Sequence, residues 1–143
     1  MSLPELDNLV RAGHLQSEPG DQGEFDGLVR TGRAMLKDAS NPSLAPESAF
    51  DLAYGAAHAL ALAALRWHGY RTEKRYAVFQ ALEHTVGIGE SDWRILEKCH
   101  RKRNKTDYEG RFEVDAQLLK DLLAAAKAVE AAVGKLGPVP GSK

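Results

Sequence analysis

Apolar residues recur at three- and four-residue spacing through most of the chain, which is the pattern of amphipathic helices. Glycine and proline interrupt the pattern: Gly13 suits a left-handed helix cap, and Pro46 suits a first helical turn. No alternating apolar and polar segment of useful length is present, so no strand is predicted. The periodicity predicts six helices, over about residues 3–12, 25–38, 46–68, 74–86, 91–108 and 118–136.

The third predicted helix is rich in alanine, with nine alanines between residues 45 and 64. Small side chains let neighbouring helices approach closely, so this helix is expected at the centre. The predicted fold class is therefore all-α, an up-and-down bundle of four to five core helices plus a short N-terminal helix. Residues 1–136 are expected to form this single domain, and residues 137–143 a disordered tail.

Length and composition fit one soluble domain in a reducing compartment. The chain has 143 residues, within the usual size of one domain, and its single cysteine, Cys99, excludes an internal disulfide. No secretory signal is recognised, and His58 interrupts the apolar stretch from Phe50 to Trp67, which favours a buried helix over a membrane span. A cytoplasmic protein without membrane contact is expected.

Positive charge is concentrated in one part of a nearly neutral chain. The formal net charge is −1, but residues 66–111 hold eleven Lys/Arg against seven Asp/Glu. This local excess is compatible with an anionic ligand without requiring one.

The fifth predicted helix places an arginine where an apolar residue is expected. Leu96 and Cys99 define its inward side, and Arg103 falls at the middle of that side, flanked by His100 and Asp107. A guanidinium cannot lose its charge, so at such a position it needs an acidic partner, a water-filled cleft or an anionic ligand.

The third helix offers polar groups that could face this arginine. Asp51, Tyr54 and His58 form a thin polar stripe on an otherwise apolar helix, and the stripe is expected to meet Arg103 directly or across a subunit boundary. A purely structural ion pair of Arg103 with Asp51 or Asp107 explains the pattern as well as a ligand site does. Tyr54 and His58 can equally be ordinary hydrogen-bonded core residues.

The surrounding basic run has its own alternatives. Lys102 is a candidate contact for an anion, but cations in the last turn of a helix are also favoured by the helix dipole. The chain has no Gly-rich phosphate loop, nucleophile elbow, paired-cysteine zinc pattern or HExxH motif, and the histidines lack metal-ligand spacing. No cofactor and no metal are expected.

Three segments resemble the HEPN domain family: RNKTDY at residues 103–108, SAFDLAY at 48–54 and ALRWHGYR at 64–71. The resemblance covers about residues 45–134. It implies a helical bundle that forms a homodimer and brings two Arg-Asn motifs together in a cleft. Many members are metal-independent endoribonucleases of toxin–antitoxin and other defence systems, often encoded beside a nucleotidyltransferase antitoxin. Others only bind RNA or nucleotides.

In that family Arg103 matches the motif arginine and Asn104 the polar residue after it. The catalytic histidine would lie four to six residues beyond the arginine, where this chain has Asp107, Tyr108 and Glu109. Tyr108 can donate a hydrogen bond to a phosphate but is a poor base near neutral pH. His100, one turn before Arg103, is the candidate substitute as acid or base.

Two functions follow from these observations. The first is a HEPN-like RNA- or nucleotide-binding protein with weak or absent metal-independent endoribonuclease activity. The second is a non-enzymatic, dimeric protein-interaction module in which the motif forms a buried polar network. The missing histidine argues against cleavage and so favours the second function in that respect. The basic segment 66–111 favours the RNA or nucleotide binding of the first.

Overall fold

The protein is an all-α helical bundle with one minor two-stranded sheet. A computed structural model describes residues 3–109 and 114–141, and it describes the side chains of 3–104 and 114–141. The helices are α1 (Pro4–Arg11), α2 (Gln22–Ala39), α3 (Pro46–Trp67), α4 (Arg75–Gln80), α5 (Leu82–Thr85), α6 (Glu90–Glu109) and α7 (Ala116–Val133). The strands β1 (Gln16–Ser17) and β2 (Tyr70–Arg71) pair antiparallel.

The six predicted helices are confirmed, with ends that shift by up to three residues and with the following differences. The fourth is divided at Ala81 into α4 and α5, and this bend keeps both segments against α3 and α6. The sixth ends at Val133 instead of residue 136. The expectation of no strand is wrong, because a two-residue strand is too short to show an alternating pattern.

Helix α3 is central, as its alanine content predicts. It contacts α2, α7 and the four segments β2, α4, α5 and α6, and most of its residues are buried. Among the described residues it is also the one helix long and apolar enough to suit a membrane crossing by length and composition alone. Its burial among the other helices accounts for that composition, since a central helix must be apolar on most sides.

Helices α2 and α3 pack so closely that Gly32 has no room for a side chain. A Cβ atom there would lie 2.6 Å from Leu60 Cγ and 3.3 Å from the Ala56 carbonyl oxygen. Both neighbours are buried parts of α3, one of them backbone, so neither can move aside easily. The missing side chain at Gly32 therefore sets the distance between the two helices.

A fully buried arginine holds the C-terminal end of α3. Arg66 is only 2% exposed, and its Nε donates to Glu24 Oε1 at 2.8 Å. Its Nη atoms donate to the carbonyl oxygens of Glu18, Pro19 and Tyr70 at 2.7–3.2 Å. A charged group this buried is tolerated only when its donors are satisfied, so this network joins the loop before α2 to α3 and β2.

Residues 137–141, part of the tail expected to be disordered, pack against the bundle. Val139 is 4% exposed, and its N–H donates to Gln22 Oε1 at 2.7 Å. Trp67 Nε1 donates to the Gly137 carbonyl at 2.9 Å. One buried valine and two long-range hydrogen bonds attach a segment whose glycine and proline content alone indicates disorder.

Two glycines of α2 give a matched test of this packing. Gly32→Ala should lower the free energy of unfolding by about 1–3 kcal/mol, because the new methyl group overpacks the contact with Leu60. Gly27→Ala in the same helix should raise it by about 0.5–1 kcal/mol, because an added Cβ would meet only Arg30 Nη2, at 4.0 Å, and alanine favours helix. Urea unfolding of both variants measures the difference. Equal effects of the two substitutions would contradict the close approach.

Candidate functional site

A cluster of rings lies where α3, α4 and α6 meet. Tyr54 and His58 come from α3, Phe79 from α4 and His100 from α6; we call these four residues the ring cluster. The Tyr54 centroid lies 5.7 Å from Phe79 and 6.4 Å from His100, and the His58 centroid lies 6.0 Å from Phe79. The i, i+4 spacing of Tyr54 and His58 puts both on one face of α3, as the polar stripe predicts.

Both ring nitrogens of His100 have hydrogen-bond partners. Nδ1 lies 2.9 Å from the Tyr54 hydroxyl oxygen, and Nε2 lies 3.2 Å from Asn104 Nδ2. With the Asn104 amide in this orientation, Asn104 donates and Nε2 accepts. His100 is then neutral, with its proton on Nδ1, and that N–H donates to Tyr54.

The ring cluster is uncharged near neutral pH. The pKa of His58 is lowered from 6.5 to about 4, chiefly by burial, with smaller contributions in the same direction from the positive charge of Arg75 and from the nearby His100. Burial and Arg75 also lower the pKa of His100, although Glu97 opposes the change. Burial raises the pKa of Tyr54, with Arg75 and Arg103 opposing. Positive charge at this site therefore belongs to arginines, not to imidazoles.

Arg103 lies beside Asp51, as expected from the polar stripe. Arg103 Nη1 donates to Asp51 Oδ1 in an ion pair, with Arg103 28% and Asp51 51% exposed. Its Nε is buried and has no hydrogen-bond partner among the described residues. The guanidinium is therefore neither freely solvated nor fully hydrogen-bonded. The ion pair with Asp51, one of the explanations that the sequence left open, accounts for only part of its surroundings.

The remaining site candidates either make no polar contact with the ring cluster or have side chains outside the described residues. No hydrogen bond, ion pair or ring contact joins Lys102 to the ring cluster in the described structure; its charge instead acts on Cys99, whose pKa burial raises to about 12. Cys99 is therefore no nucleophile at neutral pH. The side chains of Asp107 and Tyr108 lie outside the described residues. No group of three potential metal-ligating side chains occurs among those that the structure describes.

Two residues of α4 belong to this surface and were not predicted. The Arg75 guanidinium carbon lies 5.7 Å from the Tyr54 ring centroid, and Arg75 has no carboxylate partner within the described part of the chain. The Tyr76 ring centroid lies 6.3 Å from His100. In the sequence they stand just before the apolar run Ala77–Phe79, a position that indicates the start of a helix but does not indicate a binding site.

No protein-family model, curated protein or solved structure matches the chain. The resemblance to HEPN domains therefore stays a prediction that rests on short motifs. The contacts around Arg103 and the ring cluster are the physical basis for the functional inference.

The low pKa of His58 predicts a pH-dependent loss of stability. Unfolded His58 takes up a proton near pH 6.5, but the folded state resists protonation down to about pH 4. The free energy of unfolding should therefore fall as the pH is lowered from the first of these values to the second. His58 should contribute on the order of 2 kcal/mol to this loss, after allowance for its partial exposure. His58→Gln should flatten this part of the profile, measured by urea unfolding at several pH values.

The matched control is His14→Gln, which removes an exposed histidine. Its profile should follow that of the unmodified protein. If His58→Gln loses as much stability in acid as the unmodified protein, burial of a neutral imidazole is not the cause.

Proposed function

We propose that the protein is a HEPN-like RNA- or nucleotide-binding protein whose Arg103, Asn104 and His100 contact the phosphate. The observation that carries the proposal is the guanidinium of Arg103, partly exposed and with one buried donor left without a partner among the described residues. A planar guanidinium with free donors suits phosphate oxygens better than any other side chain.

Local charge supports an anionic ligand. Arg75 adds a second guanidinium beside the ring cluster, and its charge acts on Tyr54, His58 and His100. Asp51 offsets only one of the two positive charges. Arg75 lies over the uncharged Tyr54 ring without a carboxylate partner among the described residues, so it supplies positive charge for a phosphate.

Binding is favoured over cleavage. His100 is neutral, and its Nε2 is engaged by Asn104, so Asn104 must move before Nε2 can accept a proton from a ribose hydroxyl. The raised pKa of Tyr54 makes that hydroxyl a poor base as well. Metal-independent endoribonuclease activity is therefore proposed as weak or absent.

The resemblance supplies the rest of the proposal. A cytoplasmic homodimer, a toxin–antitoxin or defence role and a nucleotidyltransferase antitoxin partner are carried only by the likeness of residues 103–108, 48–54 and 64–71 to HEPN proteins. The helical bundle is compatible with each of them.

One observation favours the second candidate, a dimeric interaction module without enzymatic activity. Arg103 is already paired with Asp51, and His100 is bonded to Tyr54 and Asn104. A polar network of this kind can serve to hold α6 on α3. In that case the loss of Arg103 should affect stability or dimerisation and leave RNA binding unchanged.

Two arginines of α6 separate the candidates. Arg103→Gln should weaken binding of a short single-stranded RNA about tenfold and reduce the slope of log affinity against log salt by about one, because one phosphate contact is lost. Arg101→Gln removes an arginine that is 69% exposed and lies near Glu97, and it should change affinity much less. Fluorescence anisotropy at several salt concentrations measures both. Equal losses for the two variants would show that only net charge matters.

Cleavage is tested with chelator present. We expect slow or undetectable cleavage of structured RNA by the purified protein in EDTA, because both ring nitrogens of His100, the proposed acid or base, already have hydrogen-bond partners. Any residual activity should disappear in His100→Gln. Efficient cleavage, or cleavage that survives His100→Gln, would show that the base lies elsewhere.

A further inference from the structure

We propose that α4 makes this surface selective for single-stranded RNA: an unpaired base stacks on Tyr76 while Arg75 holds an adjacent phosphate. The inference rests on the proposed RNA binding and names its substrate class. The two residues are neighbours in the chain; Tyr76 lies beside His100, and Arg75 lies over the Tyr54 ring.

Tyr76 presents an aromatic face to solvent. It is 45% exposed and is the one large apolar side chain of that kind among the described residues. The next three residues, Ala77, Val78 and Phe79, are each at most 2% exposed, so the helix buries its other side and holds the Tyr76 ring outward. Its ring is tilted by 50° to His100, at 6.3 Å between centroids, which leaves it unstacked.

Arg75 differs from the exposed arginines of α6 because no carboxylate neutralises it. Arg94 pairs with Glu90 and Arg101 approaches Glu97, each one turn away on its own helix. Arg75 instead lies over the Tyr54 ring, and no described ion pair includes it. Its guanidinium therefore keeps its full charge and several donors for an anion.

Proteins bind single-stranded nucleic acids with exposed aromatic rings that lie next to cationic side chains. Bases stack on aromatic side chains with little sequence preference, and cations beside them follow the phosphates. In a duplex the bases are already stacked on one another, so their faces are closed to Tyr76. Free phosphate would use Arg75 and Arg103 without needing Tyr76.

The experiment compares three RNAs by fluorescence anisotropy: a short single strand, the same strand with consecutive abasic sites, and the same sequence as a duplex. Tyr76→Ala should weaken binding of the intact single strand about fivefold or more, whereas Tyr76→Phe should bind close to the unmodified protein because its ring still stacks. Tyr76→Ala should not alter binding of the abasic strand. Arg75→Gln should weaken all three, and Arg94→Gln serves as the charge control.

The outcomes separate this inference from the proposed function. If the unmodified protein binds none of the RNAs, RNA binding itself is wrong. If it binds and Arg103→Gln weakens binding, but Tyr76→Ala does not, only the stacking role is overturned. Equal affinity of the unmodified protein for the intact and abasic strands would also overturn the stacking role of Tyr76. If Tyr76→Ala changes the sedimentation coefficient and leaves RNA affinity unchanged, Tyr76 lies in a protein interface and the inference is also overturned.

Discussion

The close approach of α2 to α3 at Gly32 is the contact on which the rest of the arrangement depends. It fixes one side of α3, where Ala56 and Leu60 face α2. Tyr54 and His58 lie two positions earlier, about 200° around the helix, and so point to the opposite side. With that orientation set, the polar stripe of α3 meets α4 and α6, and the ring cluster can form.

Arg66 and Arg103 show how differently two arginines of one bundle can be held. Arg66 is fully buried, and its nitrogen atoms meet two glutamates and three carbonyl oxygens, so it has no donor to offer a ligand. Arg103 is partly exposed, has one carboxylate partner and keeps an unpaired Nε among the described residues. Burial makes the first arginine structural, whereas partial exposure leaves the guanidinium of the second within reach of an anion.

The electrostatics of the ring cluster explain why binding is favoured over proton transfer. Burial and the charge of Arg75 hold His58 and His100 neutral, and burial keeps the Tyr54 hydroxyl protonated. An anion placed between Arg75 and Arg103 meets no competing negative charge from these rings. Because the two imidazoles have a low affinity for protons, the site lacks the group that normally titrates near neutral pH in acid–base catalysis.

Helical periodicity and alanine content by themselves determined the all-α bundle and its central helix, and they placed the Asp51 stripe and Arg103 on particular helix faces, because spacing along a helix fixes which side chains share a face. That Asp51 pairs with Arg103 within one chain was decided by the tertiary structure. Only the tertiary structure decided the burial of Arg66, the attachment of Val139 and the place of Arg75 and Tyr76. These depend on contacts between segments far apart in the chain. A local pattern shows which side of a helix is apolar, but not which helix, loop or tail covers it.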